Sequence, residues 1–387
     1  MVGLPARGKT YIAYKICRYL NWLGIKTEIF SVGNYRRKIA GLHPPPTFFD
    51  INNPDGLKKR HEAAKIALKD MKKWYIEQEG VAAIFDATNS TKADRAWINE
   101  ELTKLDVQVL FIESICNVPS IIMSNIKDVK LSSPDYENLD PVDATQDYMN
   151  RISCYEAFYE TMTEKDLSYM KLINMGSQYV INVIRGYLES RIVYYLMNLH
   201  TRPKRIWFSR HGESLFNLED RIGGDAGLSP RGEQYALKLP ELVKQNIGDR
   251  PLTVWTSTMK RTIQTARHLD FPKKQWKALD ELDTGVCDGM TYDEIASYRD
   301  LVSRLEPVIM DLERHENILI ISHQATIRLN VGAVDTFRPK GQGTRVLSND
   351  LFISTNIGAS GEISDTSNPI LPISPIAIAS KSLANEA

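Results

Sequence analysis

Residues Gly3-Leu4-Pro5-Ala6-Arg7-Gly8-Lys9-Thr10 satisfy the spacing G-x-x-x-x-G-K-[ST], and no other stretch restricts the fold so strongly. By average residue frequencies such a match arises by chance in roughly one chain in a hundred of this length. The glycines permit a tight loop whose backbone N–H groups all face inward at phosphate oxygens. Lys9 supplies a charge for the β- and γ-phosphates, Thr10 a hydroxyl for Mg²⁺, and the helix that starts here its positive dipole end. Such a loop normally follows a complete β-strand. Only Met1 and Val2 precede Gly3, so the chain reads as shortened at its start and the cradle is expected to be poorly held.

The residues after the loop alternate between apolar β-type runs and amphipathic stretches. Strands are expected at Thr27–Ser31, Val81–Asp86, Val107–Glu113 and Met170–Asn174, with helices at Thr10–Trp22, Gly56–Gln78, Ala93–Lys104 and Val183–His200. That rhythm implies an α/β domain with a mostly parallel sheet over 1–200, its ligands beyond the carboxyl ends of the strands. Asp86 closes the run Val81-Ala82-Ala83-Ile84-Phe85, where a phosphoryl-transfer enzyme keeps a metal-binding carboxylate. A strand-end aspartate is otherwise an ordinary turn residue; beside the phosphate loop it reads as the partner of Thr10 at Mg²⁺.

A second α/β series runs over 201–340, after the connector Thr201-Arg202-Pro203-Lys204. Its expected elements are strand Arg205–Arg210, helix Arg231–Gln245, strand Leu252–Ser257, helix Lys260–Leu269, helix Ser297–Arg314 and strand Asn317–His323. Arg210-His211-Gly212-Glu213 closes the first of these strands, and His323 closes the last. Arg261 begins a helix between them. A lone histidine is more often structural than catalytic. Two strand-end histidines with two arginines form a positive pocket for a phosphoryl group: neutral imidazole attacks phosphorus while guanidinium neutralises its oxygens. The remaining stretch, 341–387, is rich in Ser, Ile, Pro, Ala and Asn without periodicity and is expected to be disordered.

The totals exclude several classes. Lys+Arg and Asp+Glu both number 48 in 387 residues, so no charge excess marks nucleic acid or an acidic membrane as partner. Cys17, Cys116, Cys154 and Cys287 show neither a CxxC pair nor a metal-ligand rhythm, which suits a reducing compartment. No run approaches a membrane span and no signal peptide is legible, so a cytoplasmic protein is expected.

GLPARGKTY, NYRR, FDATN, VKLSSPDY and RISCYEAFY occur in that order. RHGES, NLEDRIGGD, GLSPRGEQYA, RTIQTA and WKALDELDTGVCDGMTY follow. The second set resembles the histidine phosphatase (phosphoglycerate-mutase-like) superfamily, whose GLSPRG turn lies at Gly227–Gly232. Together the two sets resemble the bifunctional 6-phosphofructo-2-kinase/fructose-2,6-bisphosphatase family, from Met1 to about residue 336 with gaps. The resemblance implies a P-loop kinase domain followed by a histidine-phosphatase domain, ATP with Mg²⁺ for the first and no cofactor for the second. It implies fructose 6-phosphate and fructose 2,6-bisphosphate as substrates, phosphate being added to and removed from the 2-hydroxyl, and a homodimer.

Carried over residue by residue, the resemblance assigns sugar-phosphate contacts to Arg36, Arg60, Arg151 and Tyr155, and a contact with the sugar to Thr88 beside Asp86. Lys130 bridges nucleotide and sugar, Asn125 and Val129 lie in the nucleotide segment, and Cys116 holds the active-site cysteine position. Where the family reads TNTTRERR this chain reads TNSTKADR, so one basic position is Asp94 and Arg95 is the surviving candidate. A single arginine is usually a solvated surface charge; the ordered set is what reverses that reading, and planar bidentate donors suit a sugar phosphate. In the second half the resemblance makes His211 the nucleophile, Arg210 and Arg261 phosphate ligands and His323 the second pocket histidine. Glu281 is the acid–base carboxylate, Asn217, Gly223 and Tyr292 are substrate contacts, and Gln324 and Arg328 meet sugar phosphate or nucleotide.

The pattern breaks twice. The family's long basic, tyrosine-rich loop after MTY is missing, and Arg328 runs directly into Leu329–Val334, which resembles the family's last strand. An internally shortened form is therefore expected. Two other readings follow: a chain with kinase activity alone, and an impaired isoform that acts by pairing with full-length subunits.

Overall fold

A computed structural model describes residues 1–136, 139–199, 204–219, 224–281, 299–312, 315, 317–323, 326–327, 353–357 and 363–367. Side chains at 128–132, 204–205, 299–304 and 309 and in the last two segments also lie outside the description. The described residues form two compact units. The first holds those up to Leu199 together with Val302–Leu312, and the second those from Lys204 onward outside that segment.

The first unit follows the order α1 (Lys9–Trp22), β1 (Thr27–Ser31), α2 (Val32–Ala40), α3 (Pro54–Glu77), β2 (Ala82–Asp86), α4 (Lys92–Thr103), β3 (Leu110–Ile115), α5 (Pro119–Ser132), α6 (Pro141–Glu156), β4 (Ser168–Ile173), β5 (Gln178–Asn182) and α7 (Tyr187–Asn198). Sequence chemistry marks several helix starts. Asn53 and Asp140 cap α3 and α6 ahead of a proline, and Thr91 with Asp94 closes a capping box on α4. Strands β1 and β2 pair in parallel, as do β3 and β4, and β5 turns back antiparallel on β4.

Between the two ladders lies the start of the chain. Val2 donates to the Ile112 carbonyl at 2.8 Å and accepts from Ser114 N at 3.0 Å, while Met1 N donates to the Phe85 carbonyl at 2.9 Å. Two residues thus occupy a central strand position between β2 and β3. Apolar side chains of α1 and α7 (Ile12, Ile16, Leu20, Leu196) pack with Ile112 and Met170 of the strands. Phe30 and Phe85 pack instead with Ala67, Leu68, Met71 and Trp74 of α3 and with Ile98 and Leu102 of α4.

The second unit contains β6 (Lys204–Arg210), α8 (Leu215–Leu218), α9 (Pro230–Ile247), β7 (Thr253–Thr256), α10 (Lys260–Ala266) and β8 (Lys273–Gln275). After α11 (Arg299–Leu312) come β9 (Asn317–Ser322), β10 (Ile353–Ile357) and β11 (Ile363–Ser367). The sheet order is β11-β10-β6-β9-β7-β8, with β6, β9, β7 and β8 parallel. Leu239, Val243 and Ile247 of α9 pack on Trp207, Val254, Leu319 and Ile321.

Two expectations are corrected. Parts of the stretch expected to be disordered form strands: β10 pairs antiparallel with β6, and β11 with β10. Isoleucine and threonine tolerate extended backbone, and β6 offers an edge of unpaired N–H and C=O groups that such a segment satisfies. The helix over 302–312, read as part of the second series, packs in the first unit instead. Met310 enters the core of α1 and α7, and Glu306 accepts from Tyr19 Oη at 2.6 Å and pairs with Arg191. The strand expected at Leu329–Val334 lies outside the described residues.

Candidate active sites

The phosphate loop is held from several sides. Gly3 N donates to the Thr88 carbonyl at 3.0 Å, Asn125 Nδ2 to the Ala6 carbonyl at 2.8 Å, and Ser114 Oγ to the Arg7 carbonyl. Arg7 bonds the Pro5 carbonyl at 3.1 Å and Glu156 of α6 at 3.3 Å. At Gly3, with φ +134°, a Cβ would lie 2.5 Å from the Ser114 carbonyl oxygen, so glycine is required. The expectation of a poorly held cradle is thereby corrected: neighbouring elements restrain it where a long strand would otherwise do so.

Lys9 is buried and folds back onto the Leu4 carbonyl at 2.7 Å. Burial lowers its pKa to about 8, against the raising effect of Asp86, with Arg151 and Arg7 lowering it further. Thr10 Oγ1 donates to Asp86 Oδ2 at 2.8 Å. A hydroxyl and a carboxylate side by side at a helix start and a strand end fit Mg²⁺, which takes few protein oxygens and completes its shell with phosphate and water.

Four arginines gather around Phe49, Tyr155 and Asp135, an aromatic cluster against which Leu4 of the loop packs. Phe49 packs under the Arg151 guanidinium (4.0 Å to the ring centroid), with Arg36 at 5.8 Å. Tyr155 packs against Phe49 and lies 5.8 Å from Arg60. Asp135 supplies the counter-charge. It pairs with Arg36, accepts from Arg37 Nε at 3.0 Å, and lies 3.8 Å from Arg151. Burial pushes the Asp135 carboxyl up, but hydrogen bonds from Arg36 and Arg37 overcome this and hold it below the usual range. A cavity of about 190 Å³ opens onto Asp135, Arg151, Phe49 and Tyr136.

In the second unit, the parallel register Arg210↔Ser322 sets His211 and His323 at adjacent strand ends, their rings 5.0 Å apart. His211 Nδ1 lies 2.7 Å from the Gly212 carbonyl, which can only accept. The proton therefore sits on Nδ1, and Nε2 presents a lone pair. Burial lowers the His211 pKa to about 3; the Gly212 bond opposes this, while Arg210 and Arg261 add to it. Gly212 N donates to Thr265 Oγ1 at 2.9 Å, and its Cα approaches Gly232 so closely that a Cβ would meet the Gly232 carbonyl at 2.7 Å. Arg261 is buried and bonds the Gly224 carbonyl at 2.9 Å and His323 Nδ1 at 3.3 Å. Glu281 Oε2 lies 3.9 Å from the same His323 nitrogen. A neutral imidazole, flanking guanidinium and a nearby carboxylate can carry out phosphoryl transfer through histidine.

Residues 1–203 match the sequence model for 6-phosphofructo-2-kinase, and residues 206–298 the model for the histidine phosphatase superfamily (branch 1). A Saccharomyces cerevisiae protein named fructose-2,6-bisphosphatase is 52% identical over 355 residues, covering 85% of this chain and 78% of the relative. A human 6-phosphofructo-2-kinase/fructose-2,6-bisphosphatase 4 is 50% identical over 85% of this chain and 75% of its own length. The chain belongs to the 6-phosphofructo-2-kinase/fructose-2,6-bisphosphatase family.

Against the family assignments, the structure brings Arg36, Arg151 and Tyr155 together around Phe49 and sets Arg60 against Tyr155, and it brings His211, His323, Arg261 and Glu281 together in the second unit. Thr88 stands two residues beyond Asp86, its carbonyl tied to Gly3. Cys116 is buried just beyond β3. Arg95 is a correction. It is fully buried, bonds Glu164 at 2.7 Å and the Glu160 and Asn89 carbonyls at 2.9 and 3.2 Å, and so fastens the chain around Glu160 to the turn before α4. Asp94, at the position that is basic in the family motif, caps that helix. Asn217 uses its amide oxygen to cap α8. The side chains of Val129 and Lys130 on α5, and all of Gly223, Tyr292, Gln324 and Arg328, lie outside the described residues.

Sequence reasoning missed Asp135, Phe49 and Ser257. Asp135 stands in the VKLSSPDY segment itself, and Ser257 directly follows β7; both were legible as motif residues but not as partners.

Proposed function

We propose that the first unit uses ATP and Mg²⁺ to phosphorylate the 2-hydroxyl of fructose 6-phosphate, and that the second removes that phosphate through a phosphohistidine. The observation that carries the reading is the presence in one chain of two differently built phosphoryl sites. One couples a phosphate loop to an arginine pocket; the other centres on a buried neutral histidine.

In the kinase half, the loop amides and Lys9 bind the nucleotide phosphates. Arg36, Arg60 and Arg151 take the sugar phosphate, and Tyr155 and Thr88 orient the sugar. Thr10 and Asp86 would hold Mg²⁺, which supplies neutralisation of charge on the phosphates when bound. In the phosphatase half, His211 Nε2 attacks the 2-phosphoryl phosphorus and the bond to the sugar 2-oxygen breaks. Glu281 donates the proton that this oxygen needs. Water then attacks the phosphohistidine with Glu281 as base, releasing inorganic phosphate and restoring His211. Arg210 and Arg261 neutralise the phosphoryl oxygens in both steps, and His323 orients Arg261 beside them. We read the assembly as a cytoplasmic homodimer, as the family resemblance implies.

ATP-dependent formation and separate hydrolysis of fructose 2,6-bisphosphate by the purified chain test this reading. Lys9→Ala abolishes only the first and His211→Ala only the second. Rates equal to those of both variants would refute it.

A further inference from the structure

His323 is fully buried, and both its ring nitrogens have assigned partners. Arg261 Nε donates to Nδ1 at 3.3 Å, and Nε2 lies 2.9 Å from Ser257 Oγ. A guanidinium keeps its proton, so Nδ1 is the acceptor in that contact. The proton of the neutral ring therefore sits on Nε2 and points at Ser257. The next links run the same way. Ser257 Oγ lies 2.8 Å from Thr262 Oγ1, which reaches the Met259 carbonyl at 2.9 Å and the Ser257 carbonyl at 3.2 Å. Carbonyls only accept, so Thr262 donates to one of them, Ser257 donates to Thr262, and His323 donates to Ser257. Met259 N adds a second donor to Ser257 Oγ at 3.2 Å. Ser257 and Thr262 are both fully buried, where two protons set face to face would have no water to relieve them.

We propose that Ser257 is a positioning residue that fixes His323 as the Nε2–H tautomer, the opposite of the Nδ1–H tautomer of His211. Nδ1 is then the nitrogen of His323 turned to Arg261 and Glu281, so that the ring accepts from the guanidinium and orients it. The inference rests on the reading of this pocket as the phosphatase site.

Nitrogen-15 histidine spectra of the full chain, with the His323 signals identified by their loss in His323→Gln, read the tautomer directly. Wild-type His323 shows a protonated Nε2 and an unprotonated Nδ1. Ser257→Ala gives a mixed tautomer and lowers phosphatase kcat by about ten- to a hundredfold, with the KM for fructose 2,6-bisphosphate changed less than about threefold. Ser257→Thr restores both, and Thr262→Val, one link further on, gives a weaker form of the change. The kinase rate of each variant reports whether the chain is folded. A wild-type ring protonated on Nδ1, or a tautomer unmoved in Ser257→Ala and Thr262→Val, would overturn the proposal. If the wild-type chain hydrolyses no bisphosphate, the phosphatase reading fails while the spectra still decide the tautomer.

Discussion

The two sites reach phosphate by different physical routes. In the kinase half the cations are long side chains carried by α2, α3 and α6 and gathered over aromatic rings, those of α2 and α6 held against one buried carboxylate, Asp135. In the phosphatase half the key groups follow directly from strand ends, and short hydrogen bonds to carbonyls and hydroxyls fix each ring. The first site is organised by charge and the second by hydrogen-bond direction. Substitutions should therefore disturb them differently.

The largest expected effect is the separation itself. His211→Ala lowers bisphosphate hydrolysis by about a thousandfold or more by removing the proposed nucleophile, and leaves kinase kcat within about twofold. A parallel loss of both activities would break the comparison.

Asp135→Asn comes next. It leaves Arg36 buried without its charge partner, at a cost to the first unit of about 3–5 kcal/mol, read by denaturant unfolding. With the arginines no longer gathered, the KM for fructose 6-phosphate rises more than kcat falls. Hydrolysis is unaffected.

The pH dependence sharpens the contrast further. An ordinary histidine gains a proton as pH falls through about 6.5. Burial holds His211 at about 3, so its ring stays neutral and nucleophilic between pH 7 and 5. Rapid-quench formation of the phosphoenzyme should therefore show no loss attributable to His211 over that range. The same shift opposes folding in acid. The unfolded chain takes up a proton below about pH 6.5 that the native ring refuses, so the second unit loses stability as pH falls toward 3, and His211→Gln reduces that loss.

The smallest effect is expected at Arg95. Arg95→Lys removes the carbonyl bonds and weakens the first unit by about 1–3 kcal/mol, while the KM for fructose 6-phosphate stays within about threefold. A large KM change would return Arg95 to the sugar site.

Much of this was legible in the sequence because it is local. The phosphate loop, the strand-end aspartate and the two strand-end histidines each sit within a short run of residues whose period reveals the element. The strands at Thr27–Ser31 and Asn317–Ser322 show the same short-range control. What was not legible is pairing across distance. Asp135 and Arg36 are 99 residues apart, and Ser257 and His323 are 66 apart. Nothing in either neighbourhood names its partner. Arg95 misled for the converse reason: its motif position suggested a ligand, whereas Glu164, 69 residues away, claims the guanidinium. The two residues before Gly3 were too short to read as a strand, yet their backbone groups bridge β2 and β3.

If a histidine-based phosphoryl site stands apart from the nucleotide site in this chain, phosphate from the bisphosphate is captured without the phosphate loop. Brief incubation with fructose 2,6-bisphosphate labelled at the 2-phosphate, followed by alkaline quench and peptide mapping, tests it most directly. Acid-labile phosphate is expected on His211, retained in Lys9→Ala and absent from His211→Ala. Label on another residue, or none in the wild-type chain, would contradict it.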